Sequence, residues 1–194
     1  MREISARMVT EAVARLFVEA AYNLPADMIR TLEDAAAVES SAPAAAVLRD
    51  ILENARTASG GVYPLCQDCG MAVVFIDLGQ EVMLIGGGLA EAVDEGVRRA
   101  YSEGYLRCSI VADPLYDRRN TGDNTPAKLH VRIVPGDRVA ITVAPKGFGS
   151  ENMSAIAMLA PAAGVEGVVD FVVGAVDRAG ANPCPPVVLG VGIG

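Results

Sequence analysis

The sequence predicts a mixed α and β domain, an α/β-type fold with a mixed sheet, behind an all-helical N-terminal segment. Three observations carry this. Apolar residues recur at three- and four-residue spacing through the first 58 positions, short β-branched runs appear after residue 70, and glycines and prolines punctuate further helical stretches. A chain of 194 residues with 52% hydrophobic content fits one domain, read here as residues 1–194. Within it, 1–58 is the helical segment and 59–194 the mixed part.

In the first helix Ile4, Met8, Val13, Leu16, Phe17 and Ala20 form the expected apolar stripe. Pro25 suits the first turn of a second helix running towards Ser40. Pro43 opens a third, with Val47, Leu48, Ile51 and Leu52 on its buried side. TASGG, residues 57–61, is a break. Ala72 to Leu78 and Val82 to Ile85 read as strands around a Gly79-Gln80 turn, and three glycines lead into a helix from Leu89 to Glu103, stopped by Gly104. Leu129, Val131 and Ile133, then Val139, Ile141 and Val143, alternate on either side of Pro135-Gly136-Asp137, which predicts a β-hairpin. A helix beginning near Ser150, a second from Val165 to Arg178 closed by Gly180, and a buried strand in NPCPPVVLGVGIG complete the reading.

The net charge of −8 argues against a nucleic-acid partner, since phosphate binding wants a basic surface. It leaves room for an anionic small molecule held by local cations and backbone N–H groups. No apolar run approaches a membrane span of ~20 residues, and the N-terminus lacks the apolar core of a signal peptide. A cytoplasmic protein is expected, with its four cysteines free, metal-ligating or catalytic.

Cys66 and Cys69 make a CxxC in YPLCQDCG. A redox CxxC opens a helix, whereas this one precedes a strand; a zinc knuckle wants a second ligand pair, and Cys108, Cys184 and His130 are isolated. Cys108 sits in an apolar run and reads as core. Cys184 lies in NPCPP, where prolines stiffen the backbone: either a buried residue in a rigid turn or a rigidly presented iron–sulfur ligand. KGFGSEN reads equally as a plain turn with Ser150 as N-cap or as an anion cradle of backbone N–H groups with Lys146. RRNTGDNTPAK is either solvated surface or a hydrogen-bonding wall for a polyoxygenated ligand, and His130 reads as an exposed or structural histidine.

Taken in order, CQDCG, RRNTGDNTPA with His130, KGFGSEN, NPCPP and VGVGIG resemble the class I iron–sulfur fumarate hydratases. More narrowly they resemble the α-type part shared with L-tartrate dehydratase and other Fe–S hydro-lyases, from the N-terminal helices to Gly194. The resemblance implies a 4Fe–4S cluster held by three cysteines with one iron site open. It assigns Cys66 and Cys184 as ligands and places the third cysteine beyond VGVGIG, so that the chain reads as truncated at its C-terminus. Cys69 stands where the family usually has Thr, and neither it nor Cys108 matches a ligand position.

The resemblance further implies Asp68 as general acid, Gln67 as a substrate contact, Arg107 as a carboxylate clamp, and the Gly147–Gly149 backbone with Ser150 lining the pocket. The general base belongs, by the same resemblance, to a β-type subunit or domain. The expectation is a fumarate hydratase α-type part acting on a small dicarboxylate within a homo- or hetero-oligomer. L-tartrate or a related hydroxy-dicarboxylate is the nearest alternative. A non-catalytic fragment that engages a partner is the competing reading from another class.

Overall fold

A computed structural model describes residues 1–194, and the chain divides into two compact units, Met1–Pro145 and Lys146–Gly194. The architecture is mixed α and β with a helical N-terminal segment, as the sequence predicts.

In the first unit the chain opens with strand β1, Arg2–Ser5, where the sequence predicts helix. Its parallel pairing with β3, Val82–Ile85, accounts for the difference: Ile4 is buried opposite Leu84, and a long-range ladder outweighs local helical spacing. Ser5 then caps helix α1, Ala6–Tyr22, its Oγ accepting the Met8 N–H at 3.3 Å. The buried stripe is Ala6, Val9, Thr10, Val13, Phe17 and Ala21, so Val13 and Phe17 face inward as expected while Met8 is exposed.

Helices α2, Ala26–Val38, and α3, Ala42–Ser59, bury Leu32 against Leu48 and Leu52 in a small core of their own. Val47, expected inside, is exposed. Helix α4 spans Leu89–Glu103, the predicted bounds, and packs on α1. Gly96 permits the approach, since a Cβ there would meet the Val13 Cβ at 2.7 Å and the Thr10 carbonyl at 2.8 Å. Thr10 Oγ1 also donates to the Ala92 carbonyl at 2.9 Å across this seam.

Strand β2, Met71–Gly79, turns Ala72, Val74 and Ile76 into the main core beside Phe17, Val97 and Tyr101. Strands β4, Lys128–Val134, and β5, Val139–Lys146, are where the sequence puts them, but they are not a hairpin. The order is β4-β2-β5, with β2 between them and parallel to β4. The Pro135–Asp137 turn crosses the end of β2, which accepts it because Gly79 has no side chain: a Cβ there would lie 2.8 Å from the Arg138 carbonyl and closer still to that of Gly136. The amides of Gly79, Gln80 and Glu81 bind the crossing segment through the carbonyls of Arg138, Val134 and Gly136. Burial decides the order. As the central strand, β2 satisfies both backbone edges while its apolar face stays in the core.

In the second unit the predicted helix near Ser150 is a single turn, α5, Phe148–Glu151, and the next, α6, covers Gly164–Ala179 with Gly180 as its cap. Residues 181–194 form no strand and enclose no residue, against the expectation of a buried strand. An apolar run becomes a strand only where another strand takes its backbone groups, and none pairs here.

Candidate active site

CQDCG is a loop whose shape is imposed from several sides within the first unit. At its entrance the Leu65 N–H donates to the Ala21 carbonyl of α1 at 2.8 Å, and Asn54 of α3 donates to the Leu65 carbonyl at 2.7 Å. At its exit Tyr101 of α4, 2% exposed, donates its hydroxyl to the Cys69 carbonyl at 3.0 Å. Asn124, fully buried, donates Nδ2 to the Gly70 carbonyl at 3.0 Å. The helical segment is thus the frame on which the loop hangs.

Inside the loop the Cys66 thiol is exposed. It donates to Gln67 Oε1 at 3.3 Å and accepts the Asp68 N–H at 3.4 Å. Asp68 is half-buried, and Gln67 is exposed. Cys69 is buried; its thiol donates to the Cys66 carbonyl at 3.6 Å and accepts the Arg107 N–H at 3.2 Å. Burial pushes the Cys69 thiol up, and the Arg107 N–H only partly offsets this, so the group stays a protonated donor. The structure therefore brings Cys66, Gln67, Asp68 and Arg107 into one neighbourhood, with the Arg107 side chain exposed beside it.

The RRNTGDNTPAK loop is neither bare surface nor an open wall of donors, because much of its polarity is spent internally. Asn124 sits in the left-handed region at φ 59° and accepts the N–H groups of Ser109 and Ile110 on Oδ1 at 2.7 and 3.1 Å. Asn tolerates this conformation better than other non-glycine residues. Asp123 pairs with Arg98 of α4 at 3.0 Å and accepts from the Thr125 hydroxyl at 2.8 Å; burial raises its carboxyl, but these contacts outweigh that and hold it below the usual range. Asp94 takes the Ala127 N–H at 2.8 Å. Beside them Ser109 Oγ and Thr121 Oγ1 are enclosed without a hydrogen-bond partner. His130 is exposed, stacked on Phe75 with centroids 4.9 Å apart.

Cys108, expected in the core, is half-buried and packs against the main cluster. Asn124 and Tyr101 are the residues that sequence reasoning passed over. An Asn just before Thr-Pro in a polar loop is a signal for left-handed backbone, but it does not say what the side chain grips.

Cys184, Gly149 and Ser150 lie in the second unit. Cys184 is exposed at φ 59° between its prolines, its N–H donating to the Ala181 carbonyl at 3.1 Å. Gly147, not Ser150, is the N-cap of α5. Ser150 lies inside the turn and donates back to the Gly147 carbonyl at 3.2 Å, while Lys146 pairs with Glu151 at 3.0 Å. This unit also has a cavity of about 730 Å³, lined by Met153, Leu159, Phe171, Val172, Val188 and Leu189 among others. Lys146 is the sole charged side chain on its wall, which suits a dicarboxylate poorly.

No three Cys, His, Asp or Glu side chains of the chain converge where an ion could sit. Cys66 and Cys184 are accessible thiols of the soft kind that iron–sulfur clusters take. Each thiol, taken singly, has the donor chemistry that such a group needs. No helix is long and apolar enough to cross a membrane.

A family model described as fumarate hydratase (Fumerase) matches residues 10–194. A relative named putative L(+)-tartrate dehydratase subunit alpha, from Methanocaldococcus jannaschii, is 40% identical over 96% of this chain and 67% of its own length. The L(+)-tartrate dehydratase subunit alpha of Escherichia coli K12 is 30% identical over 95% of this chain and 61% of its own. The anaerobic class I fumarate hydratase of the same strain is 35% identical over 72% of this chain and 26% of its own. The chain thus spans about two thirds of the tartrate dehydratase subunits it matches.

Proposed function

The chain belongs to the fumarate hydratase family, and on that premise we propose that it is the α-type part of a 4Fe–4S hydro-lyase that interconverts a hydroxy-dicarboxylate and its dehydrated product. The malate–fumarate pair is the first reading of the substrate. L-tartrate is the second, favoured by relatives of that name that match nearly the whole chain. The whole of residues 1–194 is proposed as one catalytic part, working with a β-type partner that supplies the general base.

One observation carries the reading. An exposed thiol, a half-buried carboxyl two residues later, and an exposed arginine tied to the same loop share one braced neighbourhood. Cys66 and Cys184 would hold the cluster with a third thiolate from outside this chain. When bound, the cluster supplies an open-site iron as a Lewis acid towards the substrate hydroxyl and its neighbouring carboxylate.

The chain's own residues do the rest. Asp68, held by the Cys66–Asp68 backbone turn, delivers a proton from its carboxyl to the departing hydroxyl oxygen, which leaves as water. Gln67 orients the substrate through its amide. Arg107 grips a terminal carboxylate with its planar fork, which fixes the carbon skeleton relative to Asp68. Gly149 and Ser150 are proposed as substrate contacts on the family resemblance alone.

The deciding experiment is anaerobic reconstitution of the chain with iron, sulfide and a β-type partner, followed by assays with L-malate and L-tartrate. Turnover of either substrate that requires the chain supports the reading. A loaded pair inert to both would sink it.

A further inference from the structure

Cys69 is the one residue of the CQDC segment left without a task. It is 7% exposed, and one sulfur makes two backbone contacts: Sγ–H donates to the Cys66 carbonyl at 3.6 Å, and Sγ accepts the Arg107 N–H at 3.2 Å. Its own carbonyl is fixed by the Tyr101 hydroxyl at 3.0 Å. Arg107 stands just after the turn that ends α4, where Tyr105 is left-handed at φ 53° and Leu106 donates back to Tyr101 at 3.1 Å. The segment that presents the arginine therefore starts from a tight reversal, and its next amide is anchored on the Cys69 sulfur.

We propose that Cys69 is a positioning residue: its buried thiol ties the backbone of Cys66 to that of Arg107 and so sets the carboxylate clamp against Asp68. The proposal rests on the site reading given above. The geometry also separates Cys69 from Cys66 in kind. Cys66 shows its sulfur to solvent, whereas the Cys69 sulfur faces inward and is already engaged with two backbone groups. A hydroxyl can do the same work, since it donates and accepts in the same way; a methyl or an isopropyl group cannot.

The test compares Cys69→Ser, Cys69→Ala and Cys69→Val by two readouts. Hydrogen exchange of the Arg107 amide is measured on the full chain alone. KM, kcat and iron per chain are measured on the reconstituted pair with whichever of L-malate and L-tartrate it turns over. Expected are about 10-fold faster Arg107 exchange and about 10-fold higher KM in the Ala and Val variants, from loss of one hydrogen bond. In those variants kcat stays within about threefold, Ser restores both readouts to within about threefold, and iron per chain is unchanged throughout. Should Ala fail to fold, Val against Ser carries the same comparison.

Equal Arg107 exchange in Ser and Val would overturn the proposal, as would loss of iron in Ser, which would make Cys69 a ligand. An active pair whose KM ignores Val and Ala would overturn it alone. A loaded wild-type pair without activity would overturn the site reading and the proposal together.

Discussion

Asn124 holds Gly70 by its carbonyl at 3.0 Å while standing in a left-handed conformation with no solvent contact at all. Its other side-chain atom collects the amides of Ser109 and Ile110. One side chain thus fastens the exit of the CQDCG loop to the segment that follows Arg107.

Replacing Asn124 by Ala strands two half-buried amides and one buried carbonyl and leaves a Cβ residue at positive φ. At about 1–3 kcal/mol for each buried polar group left unsatisfied, a loss of roughly 3 kcal/mol or more is expected. Urea unfolding followed by circular dichroism measures it. A midpoint unchanged in Asn124→Ala would show that water replaces the side chain.

Asp68→Asn keeps the shape of the carboxyl and removes its proton chemistry. In the reconstituted pair turnover falls roughly 10²-fold or more, with iron per chain retained. Cys66→Ser, by contrast, lowers the iron content itself. Single-time-point activity cannot tell the two apart, so iron and sulfide are counted in the same samples.

Arg107→Ala removes a charged grip on a carboxylate. Hydrogen bonds to charged groups contribute about 1.5–3 kcal/mol, which corresponds to a KM roughly 10- to 100-fold higher. Arg107→Lys keeps the charge but loses the fork and recovers only part of this. Initial-rate kinetics against L-malate and L-tartrate give both values.

Gly96→Ala tests the α1–α4 seam. Alanine is the better helix former by about 1 kcal/mol. Its Cβ would, however, meet Val13 and the Thr10 carbonyl well inside contact distance. Overpacking of this kind costs about 1–3 kcal/mol, so a lower thermal midpoint is expected. A higher one would show that the seam yields.

Stability depends on pH at both ends for different reasons. Arg132 holds the Asp77 carboxyl below its usual range, the amides of Tyr116 and Leu115 do so for Asp113, and Arg119 does so for Asp117. Each lowered group adds stability above the unfolded value of about 3.9 and loses it as pH falls through the folded value. Tyr101 is the opposite case: burial pushes its hydroxyl up, so the unfolded chain releases that proton first and stability falls above about pH 10. Urea midpoints from pH 2 to 11 should decline at both ends, and Tyr101→Phe should flatten the alkaline decline.

What the sequence made legible follows the range of the forces involved. Helix α4 was readable to the residue because Gly88 and Gly104 bound it locally. Strands β4 and β5 were readable as strands because alternation is local too, but their partner was not. Nothing near Pro135 reveals that β2, more than fifty positions earlier, lies between them; Asp77 and Arg132 bond across a separation of 55. Strand β1 leaves no local mark for the same reason, since its partner β3 is far along the chain. At the candidate site, CxxC spacing alone leaves Cys66 and Asp68 without a role, and it is the family resemblance that implies one for each. The bracing by Asn124, Tyr101 and Cys69 escaped, because buried side chain–to–backbone bonds between distant loops leave no periodic trace.

The central place of β2 sets a timetable. Its neighbour on one edge is β4 and on the other β5, and both lie downstream. At roughly 5–20 residues per second, a ribosome needs several seconds to move from Asp77 to Arg132, 55 positions on. For that interval the newborn Val73–Ile76 run has two open backbone edges and an apolar side with nothing to close it from the sheet. Such a segment is a template for pairing with any other nascent chain. Production of this protein should therefore be governed less by how stable the finished fold is than by how that strand is sheltered while it waits.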